Sequence, residues 1–192
     1  MTSSETPVLD QRTFSYRIDK DGKMTFVNEH WDSYADDNGG VALQSERVLS
    51  KSIWQFFSDK HTILMHELII GVAHRRKRPV TWQFRCDSPA TFQVMESTVT
   101  PLANGETEYA NRFTTQYSRS PLRILDHTET KSEDFITLCS WCKGVIQGKH
   151  VVTIEYINEN YALRKGRGMP NLLHAMCHDC YDQQTDALDH QG

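Results

Sequence analysis

The sequence has no long hydrophobic run. Its most apolar stretch, Ile63 to Ala73, is interrupted by His66 and Glu67, and it is shorter than the roughly 20 residues that a transmembrane helix needs. The sequence also lacks a basic N-terminal segment followed by an apolar run, the pattern of a signal peptide. From these absences we expect a soluble, cytoplasmic protein with no membrane partner.

Positive charge is not in excess either. The 192 residues include 21 Lys and Arg against 25 Asp and Glu, which gives a formal net charge of −4. A nucleic-acid-binding protein usually carries a basic excess or a basic face. The basic run from Arg75 to Arg78 lies at the end of a predicted helix, where the helix dipole favours cations. Nucleic acid is therefore disfavoured as a partner.

Enzyme motifs are also absent. The sequence contains no Walker loop, no GxGxxG after a strand, no kinase ATP-binding boxes, no GxSxG elbow and no HExxH. We therefore expect no enzymatic activity. The length suits one well-cored domain with a small appendage, preceded by a loose arm over residues 1–12.

The spacing of apolar residues predicts an α+β fold. Two strands joined at Asp21-Gly22 are followed by short helices, the first ended by Asn38-Gly39-Gly40, and by a longer helix that Pro79 ends. Three more strands follow, the last two joined at Asn104-Gly105. This order predicts a five-stranded antiparallel sheet with helices on one side. The predicted buried stripe of the long helix is Leu64, Met65, Leu68, Ile69 and Val72.

That element order resembles the PAS domain. The resemblance covers residues 13–116 and is carried by the order of elements, by YRIDKDGKMTFVNEHW near the start and by SIWQFF before the long helix. It implies a pocket for a small molecule or cofactor between the sheet and the helices, and a signal that passes to whatever follows the last strand. The residues expected to line this pocket, or to fill it as plain core, are Trp54, Phe57, Leu68, Trp82 and Phe84.

The resemblance raises two candidate cofactors, haem and flavin. Haem needs an axial histidine, and His61, His66 and His74 lie on or beside the long helix. Because His66 and His74 fall beside the predicted apolar stripe, we interpret them as solvated. The cysteine box of photoactive flavin-binding PAS domains is absent, and Cys86 on a predicted strand is interpreted as a buried, inert thiol. The sequence names no ligand.

Four of the five cysteines form two CxxC pairs, Cys139 with Cys142 and Cys177 with Cys180, with 34 residues between the pairs. In a chain without a secretion signal, this arrangement indicates a metal site before a disulfide framework. Four thiolates fill the tetrahedral sphere of zinc and leave no position for a reactive water, which is typical of a structural site. We therefore predict one structural zinc ion held by these four cysteines. The segment between the two pairs is predicted to form a short strand or hairpin and a helix.

Other interpretations of these residues stay open. His174 or His178 could replace one thiolate, although four cysteines make this unnecessary. The CxxC pairs could instead cycle as a thiol redox switch. The segments CSWCK and HAMCHDCY resemble cysteine-rich tails attached to bacterial PAS or receiver domains, and this resemblance does not settle what such tails do.

The sequence thus divides into a PAS-like domain (13–116), a linker (117–134) and a zinc-binding module (135–189). The leading hypothesis is a cytoplasmic sensory or regulatory protein in signal transduction, whose PAS-like domain binds a small molecule and whose zinc module binds a protein partner. Because no output domain is evident, we also expect a homodimer through the PAS-like domain, anchored by Phe14 or Trp31.

The alternative hypothesis is a DNA-associated transcriptional regulator. Under this hypothesis, basic residues of the zinc module contact the phosphates of DNA. They are Lys143, Lys149, Arg164, Lys165 and Arg167.

Overall fold

The computed structural model describes residues 9–37, 40–162 and 168–190. Some sequence predictions lie outside these ranges. They concern most of the N-terminal arm, Asn38 and Gly39 after the first helix, and the basic residues Arg164, Lys165 and Arg167.

A five-stranded antiparallel sheet forms the centre of the protein. Its strands are β1 (Thr13–Ile18), β2 (Met24–Val27), β3 (Val80–Arg85), β4 (Thr91–Pro101) and β5 (Thr107–Ser118). They lie in the spatial order β2-β1-β5-β4-β3, so β1 and β5 pair in the middle of the sheet. The predicted α+β class and the five-stranded antiparallel sheet are confirmed.

Two glycines form the hairpin turns of this sheet. Gly22 has φ +76° and Gly105 has φ +87°, in the left-handed region that glycine enters without steric cost. A Cβ atom on Gly22 would also lie only 2.5 Å from Nε1 of Trp54. The two hairpins predicted from the Asp-Gly and Asn-Gly dipeptides are therefore confirmed.

The helices between β2 and β3 cover one side of the sheet. They are α1 (Trp31–Asp37), α2 (Ser45–Val48), α3 (Lys60–Arg76) and two 3-10 turns (Val41–Leu43 and Ile53–Phe56). The long helix α3 begins after Asp59, whose carboxylate accepts a hydrogen bond from the backbone N–H of Thr62 at 2.8 Å. No helix in the described ranges combines the length and the apolar character needed to cross a membrane.

The predicted buried stripe of α3 is partly wrong. Leu64 and Leu68 are 54% and 40% exposed, and the residues that pack inward are Thr62, Met65, His66, Ile69, Val72 and Ala73. Because α3 carries apolar side chains nearly all round, their spacing alone did not distinguish the two faces.

The C-terminal part forms a smaller, mixed sheet. Its elements are β6 (Lys131–Cys139), β7 (Val145–Gln147), β8 (His150–Val152), α4 (Ile154–Ala162), β9 (Met169–Ala175) and α5 (His178–His190). The strand order is β8-β7-β6-β9, with β9 parallel to β6. The hairpin and helix predicted between the cysteine pairs are confirmed. Strand β6 begins inside the segment predicted as a linker, and the division into domains stays a prediction.

The two sheets share one apolar core. Cys139, Trp141, Met176, Cys177 and Leu188 pack in the same cluster as the inward side chains of β1, α3 and β3. The backbone N–H of Arg85 also donates to the carbonyl oxygen of Trp141 at 2.8 Å. The cysteine-bearing region therefore lies directly against the main sheet. A second cluster fills the C-terminal part and comprises Leu122, Ile124, Leu138, Val145, Ile154, Ile157 and Met169.

An ionic cluster fixes α4 to the edge of the main sheet. The fully buried carboxylate of Asp87 accepts hydrogen bonds from Arg85 and, at 3.1 Å, from Arg119. Both guanidinium groups also donate to Glu155 in the first turn of α4, at 2.8 and 2.9 Å. The cluster links two regions that are far apart in sequence, and sequence reasoning did not predict it.

Gly168 packs too closely against β6 to accept a side chain. A Cβ atom there would lie 2.4 Å from the carbonyl oxygen of Thr130. We expect Gly168→Ala to lower the free energy of unfolding by about 1–3 kcal/mol, because backbone atoms must move apart. Gly71→Ala is the matched control, since nothing lies within 4 Å of that position on α3. It should raise stability by up to about 1 kcal/mol. Urea titrations measure both, and changes of the same sign would contradict the prediction.

Candidate functional site: a four-cysteine site beside a cavity

Four cysteine side chains meet between the two sheets. Cys139 ends β6, Cys142 follows in the turn to β7, Cys177 precedes α5, and Cys180 lies in the first turn of α5. Their Sγ atoms all lie within 4.8 Å of one another, and those of Cys142 and Cys177 are 4.0 Å apart. Four sulfurs at about 2.3 Å from one tetrahedral ion would lie about 3.8 Å apart. A small contraction of this four-cysteine site would therefore suit a metal ion.

Backbone amides surround these sulfurs. The N–H groups of Trp141 and Cys177 each donate to Sγ of Cys139 at 3.4 Å. The N–H of Gly144 donates to Sγ of Cys142 at the same distance. Hydrogen bonds of this kind stabilise the negative charge of a thiolate. The two residues between the cysteines of a CxxC pair thus serve to turn the backbone toward the ligands.

The turn after β6 depends on its Lys-Gly sequence. Lys143 adopts φ +60°, which bends the chain back toward the cysteines. A Cβ atom on Gly144 would lie 2.2 Å from Cγ1 of Val151 and 3.3 Å from Sγ of Cys142. Glycine is therefore required where β7 and β8 close over the site.

The sulfurs are not equivalent in the metal-free protein. Hydrogen bonds from the thiols of Cys142 and Cys180, with one from the backbone N–H of Cys177, lower the pKa of Cys139. Burial raises the pKa of Cys177 to about 11. One thiolate is thus stabilised, and further negative charge at the site is disfavoured. A divalent cation reverses this preference, because thiols that bind a metal are deprotonated.

The remaining sequence candidates lie outside the four-cysteine site. Among the described residues, the group of ligand atoms close enough to share this ion consists of the four cysteines. His178 is exposed, and its Nδ1 lies 2.6 Å from a carboxylate oxygen of Asp182. His174 borders the cavity described next. Cys86 is partly buried on the main sheet, with its Sγ 3.6 Å from the hydroxyl of Tyr34.

A cavity of about 1010 Å³ lies between the main sheet, the helices and the turn that carries Cys139 and Cys142. Its volume is at the upper end of the usual range for small-molecule sites. Of the predicted lining residues, Phe57, Trp82 and Phe84 border this cavity. Trp54 packs against the main core, as the prediction allowed, and the prediction was wrong for Leu68. Trp54 borders a smaller, separate cavity, and Leu68 lies on the exposed face of α3.

Trp141 connects the cavity to the four-cysteine site. It lies between two of the four cysteines in sequence, and its side chain is buried. Its ring is nearly parallel to that of Trp82, at 24° with centroids 5.9 Å apart, and its centroid lies 5.7 Å from that of His66. Ser140 and Lys143 border the cavity from the same turn. The turn that bears two predicted metal ligands is therefore also a wall of the cavity.

His66 lies in the core, so its interpretation as a solvated residue was wrong. It is 9% exposed and borders the cavity. Its Nδ1 is 3.3 Å from the hydroxyl of Tyr109, and among the described residues Nε2 has no hydrogen-bond partner. Of the other helix histidines, His61 is exposed, whereas His74 is half-buried with its Nε2 2.8 Å from Oγ1 of Thr107.

Comparison of the sequence with protein-family models gave no match, and comparison with curated proteins found no relative. The function of this chain is therefore inferred from its fold, its four-cysteine site and its cavity.

The buried imidazole of His66 predicts a loss of stability in acid. Burial lowers the pKa of His66 from 6.5 to about 4. Between these pH values the unfolded chain binds a proton that the folded protein does not, so stability falls as the pH decreases through this window. We expect wild type to lose on the order of 3 kcal/mol more than His66→Gln between pH 7 and pH 4.

Urea titrations of both proteins at several pH values measure this difference. Release of metal in acid affects both proteins and cancels in the comparison. Identical pH dependence of wild type and His66→Gln would contradict the prediction.

Proposed function

We propose that the protein is a PAS-like sensory or regulatory protein that binds a small molecule in the cavity and one structural zinc ion in the four-cysteine site. The proposed role is binding and signal transduction, without a catalytic step. The observation that carries it is the composition of the cavity wall, which includes residues of the main sheet, of α3 and of the C-terminal part. A molecule in the cavity would contact both parts of the chain at once.

The choice of zinc follows from the donor set. Four thiolates with tetrahedral spacing suit zinc or iron. Zinc is favoured because four protein ligands close the site, as in structural zinc sites. The metal would tie the turn after β6 to the start of α5, two segments that the parallel pairing of β6 with β9 already brings close together.

Elemental analysis of protein purified under reducing conditions tests the metal assignment. We expect one zinc per chain, and an intense thiolate-to-metal absorption after replacement of zinc by cobalt. Stoichiometric iron would overturn the choice of metal. A fully reduced protein that binds neither zinc nor cobalt would overturn the site itself. Native mass spectrometry of the same sample tests the sensory role, because a retained organic ligand adds mass beyond that of the metal.

The signal is proposed to leave the chain in one of two ways. The chain either forms a homodimer through its PAS-like domain or contacts a different protein. The anchors expected from the sequence need revision. Phe14 is only 2% exposed and belongs to the core, and Trp31 is half-buried. Light scattering at tens of micromolar protein distinguishes a monomer from a homodimer, and a monomeric mass would contradict the homodimer.

A thiol redox switch is a second candidate, favoured by the short distances between the sulfurs. The Sγ atoms of the four cysteines all lie within 4.8 Å of one another, so two of them could approach and react when no metal is bound. Two thiols could then form a disulfide and pass two electrons and two protons to hydrogen peroxide, which becomes two waters. Counting free thiols before and after peroxide, in zinc-loaded and metal-free protein, distinguishes the two functions. Zinc-loaded protein that loses thiols and zinc together would support the switch.

The DNA-associated alternative gains no support from the described residues. Lys143 borders the cavity and Lys149 is exposed. The other three predicted phosphate contacts lie outside the described ranges.

A further inference from the structure

We propose that the cavity binds a neutral, planar aromatic molecule with a hydroxyl group, and that this molecule and the metal strengthen each other's binding through Trp141. The inference rests on the proposed function and extends it in two respects. It names the chemical class of the ligand, and it names the residue that couples the cavity to the four-cysteine site.

The cavity wall determines the shape of the ligand. Ten phenylalanine, tyrosine and tryptophan rings of the sheet, the helices and the turn after β6 border the cavity, namely Phe14, Tyr16, Trp31, Tyr34, Phe56, Phe57, Trp82, Phe84, Tyr109 and Trp141. Aromatic rings gain energy from stacked and edge-to-face contacts beyond simple burial. The near-parallel rings of Trp82 and Trp141 offer a flat surface of this kind. A planar aromatic molecule therefore matches the wall better than a branched aliphatic one.

His66 determines the polar group of the ligand. Its Nδ1 is paired with Tyr109, and Nε2 is left without a partner among the described residues. Because His66 borders the cavity, a ligand can supply the hydrogen bond that the protein does not give to Nε2, which favours a ligand with a polar group at that position. Nε2 is a donor or an acceptor according to the tautomer, and a hydroxyl group serves both cases because it can donate and accept.

The charges at the cavity favour a neutral ligand. Four aspartates and one lysine border it, namely Asp37, Asp59, Asp87, Asp126 and Lys143. Asp37 and Asp87 are paired with arginines, which leaves Asp59 and Asp126 against Lys143. This balance disfavours a carboxylate or phosphate group on the ligand. A phenol is neutral near pH 7, and it therefore fits the wall, the imidazole and the charge together.

The position of Trp141 between Cys139 and Cys142 couples ligand binding in the cavity to metal binding at the four-cysteine site. Metal coordination by both cysteines would fix the turn, and with it the ring that borders the cavity. Without metal, the turn has more conformations, and only some of them keep the ring beside Trp82. The ligand therefore binds the metal-loaded protein more tightly, and by thermodynamic linkage it raises metal affinity by the same factor.

The test uses 2-naphthol as the probe and 2-methylnaphthalene as its partner of similar shape without the hydroxyl. Isothermal titration of the full chain compares zinc-loaded with chelator-treated protein. We expect 2-naphthol to bind zinc-loaded protein about three- to tenfold more tightly, the range that one aromatic contact supplies. Competition with a chelator should show zinc affinity raised by the same factor at saturating 2-naphthol. The hydroxyl preference over 2-methylnaphthalene should disappear in His66→Leu.

Trp141→Leu tests the coupling residue. The amide that donates to Cys139 remains in this variant, so it should keep stoichiometric zinc while the two affinities become independent. Tyr117→Leu is the control, because this exposed aromatic residue stacks on Phe92 away from the cavity. It should preserve the full coupling. If Trp141→Leu does not fold, the zinc-loaded and metal-free wild-type proteins still decide. Hydrogen exchange shows whether the turn that carries Trp141 stays protected without metal, and a loss of its protection with no loss of affinity for 2-naphthol overturns the coupling.

Three results would overturn the proposal. They are no binding of 2-naphthol at millimolar concentration, equal affinity with and without zinc, and a Soret band of the purified protein, which would identify haem as the occupant. These results differ from a failure of the proposed metal site. That failure appears as protein without zinc or cobalt, whatever its affinity for 2-naphthol.

Discussion

Cys139→Ser is expected to abolish stoichiometric metal binding and to destabilise the C-terminal part more than any substitution on the protein surface. Cys139 is fully buried, and its sulfur accepts two backbone hydrogen bonds. Structural zinc sites contribute on the order of 10 kcal/mol of folding free energy. A hydroxyl is a much weaker ligand for zinc than a thiolate, so most of this contribution should be lost.

Elemental analysis and hydrogen exchange measure the result of Cys139→Ser. We expect fast exchange after about residue 135 and continued protection of the central strands β1, β4 and β5. Residues that pack on Trp141 should lose part of their protection, because the two sheets share one core. Cys86→Ser is the control and should keep its metal. One zinc per chain in Cys139→Ser would rule out the four-cysteine assignment.

Asp87→Ala is expected to lower the free energy of unfolding by about 3–5 kcal/mol, because it leaves two buried guanidinium groups without their shared carboxylate. The side chain of Asp87 is 0% exposed, and those of Arg85 and Arg119 are 19% and 11% exposed. Glu155 would remain as their partner, but it is 39% exposed and cannot replace a buried charge. The contact between α4 and the main sheet should loosen as a result.

Glu96→Gln is the matched control for Asp87→Ala. Glu96 pairs with Arg112 on the same sheet, where the arginine side chain is 62% exposed. An exposed pair contributes about 0–1 kcal/mol, so this variant should unfold close to wild type in urea. Similar losses in the two variants would show that burial does not govern the strength of these pairs.

The sequence predicted features that depend on neighbours in the chain. The Asp-Gly and Asn-Gly dipeptides located both hairpins, because the required left-handed backbone is a local property of glycine. The CxxC spacing identified the four cysteines that the structure brings together. Each pair turns the backbone toward its own sulfurs, so only the meeting of the two pairs depends on the fold.

Features set by packing between distant segments were missed. The exposed and buried faces of α3 could not be told apart, because Leu64 and Leu68 are as apolar as the residues that pack inward. The buried position of His66 was missed for the same reason, because His66 lies on the inward face of α3. The cluster around Asp87 joins residues up to 70 positions apart, and charge spacing in the sequence gives no sign of it.

The parallel pairing of β6 with β9 has a consequence for synthesis on the ribosome. The main sheet and the first cysteine pair leave the ribosome well before Cys177 and Cys180, because these two follow β9. Until β9 docks beside β6, the nascent chain has only two of its four thiols near the turn that closes the cavity. A metal ion held by all four thiols would therefore be bound only after the chain has been translated through the start of α5. A premature stop before Cys177 would leave only two thiols of the four-cysteine site.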